Sequence, residues 1–220
     1  TKPQKVHYST KTLMKNKFIS KLGNKYEQKI YKIFKNLPHC VFRESKKSKK
    51  SKKSKKPQSK VIIKTFLNPQ TFKSIYNKCI AQPGREILIL EGQFTTPEKF
   101  VDELIGINQS PSQIKLLAGD QRPDLMLISN LNIKGIKHKK ISEILPDGTV
   151  KPVPMSHLAK RMAISIFDIK NIDEEEIGKK QFIEILFYIR SLLSYLVENN
   201  LMGKFFVRMD NNGIFPQYDD

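Results

Sequence analysis

The sequence predicts an α/β fold, a short mixed β-sheet flanked by helices, and three observations carry that reading. Short apolar runs of strand length recur at Val61–Phe66, Glu86–Leu90, Leu125–Ile128 and Ala163–Ile169. Segments with helical spacing of apolar residues lie between them, and a long helical stretch follows the last. Strands alternating with helices call for a layered sandwich around one sheet.

The elements follow in order. Residues 1–24 read as a basic N-terminal arm, and residues 25–220 as one domain. Lys25–Leu37 is predicted helical, because Tyr26, Ile30, Ile33, Phe34 and Leu37 form one apolar stripe. Pro38 closes it, since the residue before proline resists the helix. His39–Arg43 reads as a short strand. Ser45–Lys60 repeats Ser-Lys-Lys with no large apolar residue to bury, so it reads as a disordered loop. Val61–Phe66 is the next strand, paired with the first across that loop. Pro69–Gln82 places Phe72, Ile75, Tyr76 and Cys79 on one helix face. Pro97–Ile107 opens after Thr95-Thr96 with proline in the first turn, as helices commonly do. Arg122-Pro123-Asp124 is a turn running into a strand.

Residues 129–160 hold no long periodic run and read as an insertion, with a hairpin around Pro146-Asp147-Gly148. Ala163–Ile169 is a strand, and Gly178–Asn199 a long helix. The acids Asp173–Glu176 suit the positive end of that helix better than a metal site. Phe205–Arg208 reads as a last strand before a polar hairpin at Asp210–Gly213.

Charge narrows the function. The net charge is +19, and the loop from Lys46 to Lys60 supplies nine lysines of it. Taking those nine from +19 leaves +10 on the rest, so the body is basic as well. Such an excess favours a polyanionic partner through counterion release. Lys46, Lys47, Lys49, Lys50, Lys52, Lys53, Lys55 and Lys56 are the expected phosphate contacts. No apolar run approaches the length of a membrane span, and Thr1–Lys25 holds no apolar signal segment. Cys40 and Cys79 have no framework or metal spacing and read as buried free thiols in a reducing, cytoplasmic setting. No pair among the four histidines has zinc-site spacing. Phosphate-binding glycine loops and Gly-x-Ser-x-Gly elbows are absent.

The chemistry concentrates in two short segments. Asp124 opens one apolar strand; Asp168 and Lys170 end another. Residues i and i+2 share a strand face, so Asp168 and Lys170 project together while Ile169 points into the core. Adjacent strands would bring Asp124 beside Asp168. Paired carboxylates suit Mg²⁺ or Mn²⁺, hard cations that prefer oxygen. Such a cation polarises a phosphodiester and lowers the pKa of its bound water. A lysine on the same face orients or activates that water and steadies developing charge.

The set Arg122-Pro123-Asp124 and Phe167-Asp168-Ile169-Lys170 resembles the PD-(D/E)xK nuclease superfamily. Glu27, in Tyr26-Glu27-Gln28-Lys29, matches the glutamate that members carry on the first core helix. The resemblance implies a restriction-endonuclease-like core and a Mg²⁺- or Mn²⁺-dependent DNA nuclease. It implies that Glu27, Asp124 and Asp168 ligate metal, with the Ile169 backbone carbonyl, and that Lys170 is catalytic. Gln181 and Tyr188 on the following helix resemble the RecB-like branch as accessory residues. Their spacing is longer than usual there, and Glu184 and Tyr188, four apart on one face, stand as an alternative pair. A non-catalytic DNA- or RNA-binding module is the competing reading. A third is a nuclease subunit active only within a defence, repair or transposition complex. A homodimer or a partner protein is left open as the assembly.

Overall fold

A computed structural model describes residues 23–34, 60–63, 65–105, 119–133 and 141–216 of the chain. Helix α1 covers 23–34. It is followed by β1 (Lys60–Ile63), α2 (Pro69–Ile80), β2 (Glu86–Leu90), β3 (Phe94–Thr95) and α3 (Glu98–Ile105). Next come β4 (Asp120–Gln121), β5 (Leu125–Ser129), β6 (Ser142–Ile144), β7 (Val150–Pro152), α4 (Met155–Leu158) and β8 (Met162–Ile169). A 3₁₀ turn at Glu174–Glu176 precedes α5 (Lys179–Glu198), and β9 (Phe205–Arg208) and β10 (Gly213–Phe215) follow. The sheet runs β1-β2-β5-β8-β9-β6-β7, with β10 also on β8, and β3 pairs with β4 separately. β1 on β2 and β9 on β8 are parallel, and β2, β5 and β8 run antiparallel in turn, so the sheet is mixed.

Alternation along the strands sorts the core into two faces. Ile87, Ile89, Met126, Ile128, Ile164 and Ile166 meet Phe72 and Ile75 of α2 and Ile185, Ile189 and Leu192 of α5. Leu88, Leu90, Leu125 and Ile169 point the other way, against Tyr31 of α1. Further along that second face, Ala163 and Phe206 meet Leu158 of α4. Helices cover both faces, which is why β2, β5 and β8 are nearly continuous apolar runs.

Most predicted elements stand within a few residues of their expected limits, and the differences have local causes. Lys60 belongs to β1, so the strand begins one residue inside the Ser-Lys-Lys segment. That segment's remainder, Ser45–Ser59, the strand expected at His39–Arg43 and the arm at 1–22 lie outside the described residues. Gly23 and Asn24, assigned to the arm, are already helical.

The expected hairpin at Pro146-Asp147-Gly148 forms: β6 and β7 pair antiparallel. Asp147 Oδ1 accepts from Thr149 N at 2.9 Å, and Gly148 takes φ +86°, the left-handed conformation that glycine adopts without steric cost. The insertion also joins the main sheet, because β6 pairs with β9. The expected hairpin at Asp210–Gly213 is instead a break between two segments along one edge of β8. β9 pairs with its first half and β10 with its second, both parallel. Side chains fill the break: Ile166 N donates to Asn212 Oδ1 at 2.8 Å and Asn211 Nδ2 to Ser165 Oγ at 2.9 Å.

Candidate active site

The antiparallel register of β5 and β8 pairs Leu125 with Phe167. Asp124, one residue before, therefore meets Asp168, one residue after. The carboxylate of Asp124 accepts from Ile169 N at 2.8 Å through Oδ2. Its backbone carbonyl accepts from Glu91 N at 2.9 Å and from the Tyr31 hydroxyl at 3.4 Å. Asp124 is thus fixed from three elements. Burial pushes its pKa up to about 8, the adjoining Asp168 carboxylate and the Glu27 charge add to the rise, and the Ile169 N–H opposes it.

Asp168 is 2% exposed. Lys170 Nζ lies 2.7 Å from Asp168 Oδ2 and donates to Glu184 Oε2 of α5 at 3.0 Å. The contact with Asp168 is an ion pair without hydrogen-bond geometry, so the buried Oδ2 has no hydrogen-bond partner. Burial disfavours the Lys170 ammonium, yet Asp168 and Glu184 outweigh it and hold its pKa above the ordinary lysine value. The expected projection holds: Asp168 and Lys170 meet each other, and Ile169 packs into the core beside Tyr31.

Glu27 reaches the same neighbourhood from α1, where its carboxylate accepts a hydrogen bond from the Tyr31 hydroxyl. Tyr31 is 1% exposed, and burial first, then the bond to Glu27, raises its pKa. Tyr188 of α5 is half-buried. Its pKa is pushed up to about 12 by burial, then by the charges of Glu184, Asp168 and Asp124. Gln181 is placed otherwise: its Oε1 accepts from Gly178 N at 3.0 Å and caps α5. The lysines from Lys46 to Lys56 lie outside the described residues.

Two participants escaped the sequence reading. Tyr31 was legible, because it stands four residues after Glu27 and therefore on the same helix face. Glu91 was not. It follows β2 with φ +51°, unusual for a residue with a side chain, and its N–H meets the Asp124 carbonyl as the next rung beyond the Leu90–Leu125 pair. Its carboxylate lies 3.9 Å from the exposed Arg122 guanidinium.

The donor chemistry suits a hard divalent cation. Two buried carboxylates adjoin, and Asp168 Oδ2 faces the Lys170 ammonium at 2.7 Å. Mg²⁺ is commonly held by one or two carboxylates together with water and substrate phosphate. Glu27 accepts from Tyr31 through one carboxylate oxygen, and among the described residues no three His, Cys, Asp or Glu side chains converge as ligands. The fitting set is therefore Asp124 with Asp168. Outside it, α1 carries Lys25, Lys29 and Lys32 exposed on its outer side, where they line a shallow depression of about 450 Å³ with Asn24 and Gln28. Glu27 is the one acid in residues 23–34, and it is turned inward. Among the described residues no helix is long and apolar enough to cross a membrane.

No protein-family model matches the chain, and no curated protein or solved structure matches it either.

Proposed function

We propose that the chain is a metal-dependent DNA nuclease that hydrolyses phosphodiester bonds at a site of the PD-(D/E)xK kind. The observation that carries the reading is the buried pair Asp124 and Asp168 on facing strand ends, with Lys170 Nζ 2.7 Å from Asp168. A mixed sheet with a glutamate-bearing helix before the pair and a long helix after it supports a restriction-endonuclease-like core.

Asp124 and Asp168 would hold Mg²⁺ or Mn²⁺. When bound, such a cation offsets charge on the phosphate and makes a coordinated water more acidic. Lys170 is held charged by Asp168 and Glu184. An ammonium has no lone pair, so it orients the water and steadies developing negative charge by donating hydrogen bonds; it does not take the proton. Glu184 positions Lys170. Tyr188 keeps its proton at neutral pH and stands as a donor near the same carboxylates. Lys25, Lys29, Lys32 and Arg122 supply the positive approach for a phosphate backbone.

The test is cleavage of single- and double-stranded DNA with Mg²⁺ or Mn²⁺, comparing wild type with Asp168→Ala and Lys170→Ala. Both variants should lose cleavage while keeping the wild-type fold by circular dichroism. If both cut as fast as wild type, the assignment is wrong. Salt-sensitive binding without cleavage under any metal would point to a non-catalytic module. Cleavage only on adding a partner would point to a subunit of a larger complex.

A further inference from the structure

A cation of the chain's own already sits on a carboxylate that the proposed metal needs. Lys170 Nζ lies 2.7 Å from Asp168 Oδ2 and 3.0 Å from Glu184 Oε2, so one ammonium is shared between two acids. The two acids differ in freedom. The Asp168 side chain is 3% exposed, at the end of β8 and against Asp124. The Glu184 side chain is 41% exposed on α5, at the rim of the site. Lys170 itself is anchored by its backbone, because its N–H donates to the Phe215 carbonyl at 3.0 Å. Its flexible four-carbon stem can still carry the ammonium between the two carboxylates.

Charge sets the two cations against each other. A divalent cation on Asp124 and Asp168 would claim the carboxylate that Lys170 now faces, and like charges on one carboxylate repel. A lysine is charged at neutral pH, so it makes room by moving. Asp168 is buried and fixed, while Glu184 stands at the rim and already shares the ammonium.

We infer that Lys170 and the metal occupy Asp168 in turn, and that Glu184 is the positioning residue that receives the Lys170 ammonium when metal arrives. In the metal-free protein Lys170 is the counter-charge that keeps buried Asp168 from standing unpaired. In the loaded protein it rests on Glu184. An ammonium has three N–H donors, so one given to Glu184 leaves two for water or phosphate. The same exchange that admits the metal therefore delivers the hydrogen-bond donor. The inference rests on the reading of Asp124 and Asp168 as metal ligands, and it makes the lysine an opponent of metal binding as well as a participant in cleavage.

The test is Mn²⁺ binding to the full chain without nucleic acid, read from the electron paramagnetic resonance signal of the free ion. Wild type should bind, and Asp168→Asn should lose that binding, which locates it. Lys170→Met should bind Mn²⁺ about tenfold tighter, although it should cleave poorly. Glu184→Gln should bind about threefold weaker, because the ammonium loses its second seat. In the Lys170→Met background Glu184→Gln should change nothing, since no ammonium remains to be received. Lys170→Gln serves in place of Lys170→Met if the methionine variant does not fold by circular dichroism. Mn²⁺ affinity unchanged or weaker on removing the lysine charge would overturn the inference. So would a Glu184→Gln loss that persists without the lysine, because Glu184 would then act on the metal by its own charge. Either result leaves Asp124 and Asp168 as ligands, whereas a wild type and lysine variants that all bind no Mn²⁺ remove the metal reading and the inference together.

Discussion

Strand β8 starts one residue after Arg161 and ends one residue before Lys170, and each of these cations makes a 2.7 Å ion pair with a carboxylate that is 2% exposed. The two ends are otherwise opposites. Arg161 meets Glu143, also donates to the Phe205 carbonyl at 3.1 Å, and stacks over the Phe206 ring at 5.1 Å. One acid and one base are matched there, and the pair joins the inserted hairpin to the sheet. At the other end Lys170 faces both Asp168 and Glu184, with Asp124 adjoining and Glu27 nearby. Acid exceeds base, in an otherwise basic protein. A matched buried pair serves the fold; an unmatched cluster stores electrostatic repulsion that a positive charge would relieve.

Separate changes at the two ends should break that comparison in opposite ways. The largest effect expected is on cleavage: Lys170→Ala should slow metal-dependent cleavage of DNA by about 10²–10³ per folded molecule, read from single-turnover rates. Glu143→Ala should do the reverse. It leaves the Arg161 charge buried without its carboxylate, so unfolding in denaturant should show a loss of about 3–5 kcal/mol, while cleavage per folded molecule holds.

Asp124→Asn should stabilise the metal-free protein by about 1 kcal/mol, about 2–4 °C in melting temperature, and abolish cleavage, because the amide carries no charge to bury beside Asp168 and takes up no proton on folding. The sign extends to pH. With its pKa raised to about 8, folded Asp124 retains a proton that the unfolded chain has already released. Stability from this group is therefore full in acid and declines as pH rises toward and through about 8. Melting curves of the asparagine variant should lack that decline.

The smallest effect is on binding. Replacing Lys25, Lys29 and Lys32 by glutamine should lower the slope of log affinity against log salt by about 2–3, measured on a cleavage-dead background. An unchanged slope would remove α1 from the nucleic-acid surface.

What the sequence made legible was local. Glu86–Leu90 is a strand with the predicted limits, since a run of Ile and Leu between polar ends leaves little choice. The i and i+2 rule placed Asp168 with Lys170, and the flanking apolar runs placed Asp124 on the neighbouring strand. Long-range substitutions were not legible. Asn211 and Asn212 read as turn residues, yet their side chains stand in for backbone along β8 and let β10 continue the edge. Gln181 has two local meanings, a motif residue and a third-position cap behind Gly178. The cap prevails because the N–H of Gly178 would otherwise lack an acceptor. The role of β6 depends on β9, more than fifty residues on, which no spacing rule reaches.

Helix α1 delivers Glu27 to the site from a separate element. It rests on the cluster of Leu88, Leu90, Leu125 and Ile169, through Tyr31, Tyr26, Ile30 and Phe34. Its far contacts are with β10 and the residue after it: Tyr26 donates to the Pro216 carbonyl at 2.6 Å and Phe34 meets Phe215 edge to face at 5.8 Å. The position of Glu27 therefore depends on the docking of α1. Amide exchange in α1 should run well ahead of exchange in β5 and β8, and the acid count of the site would rise and fall with that helix.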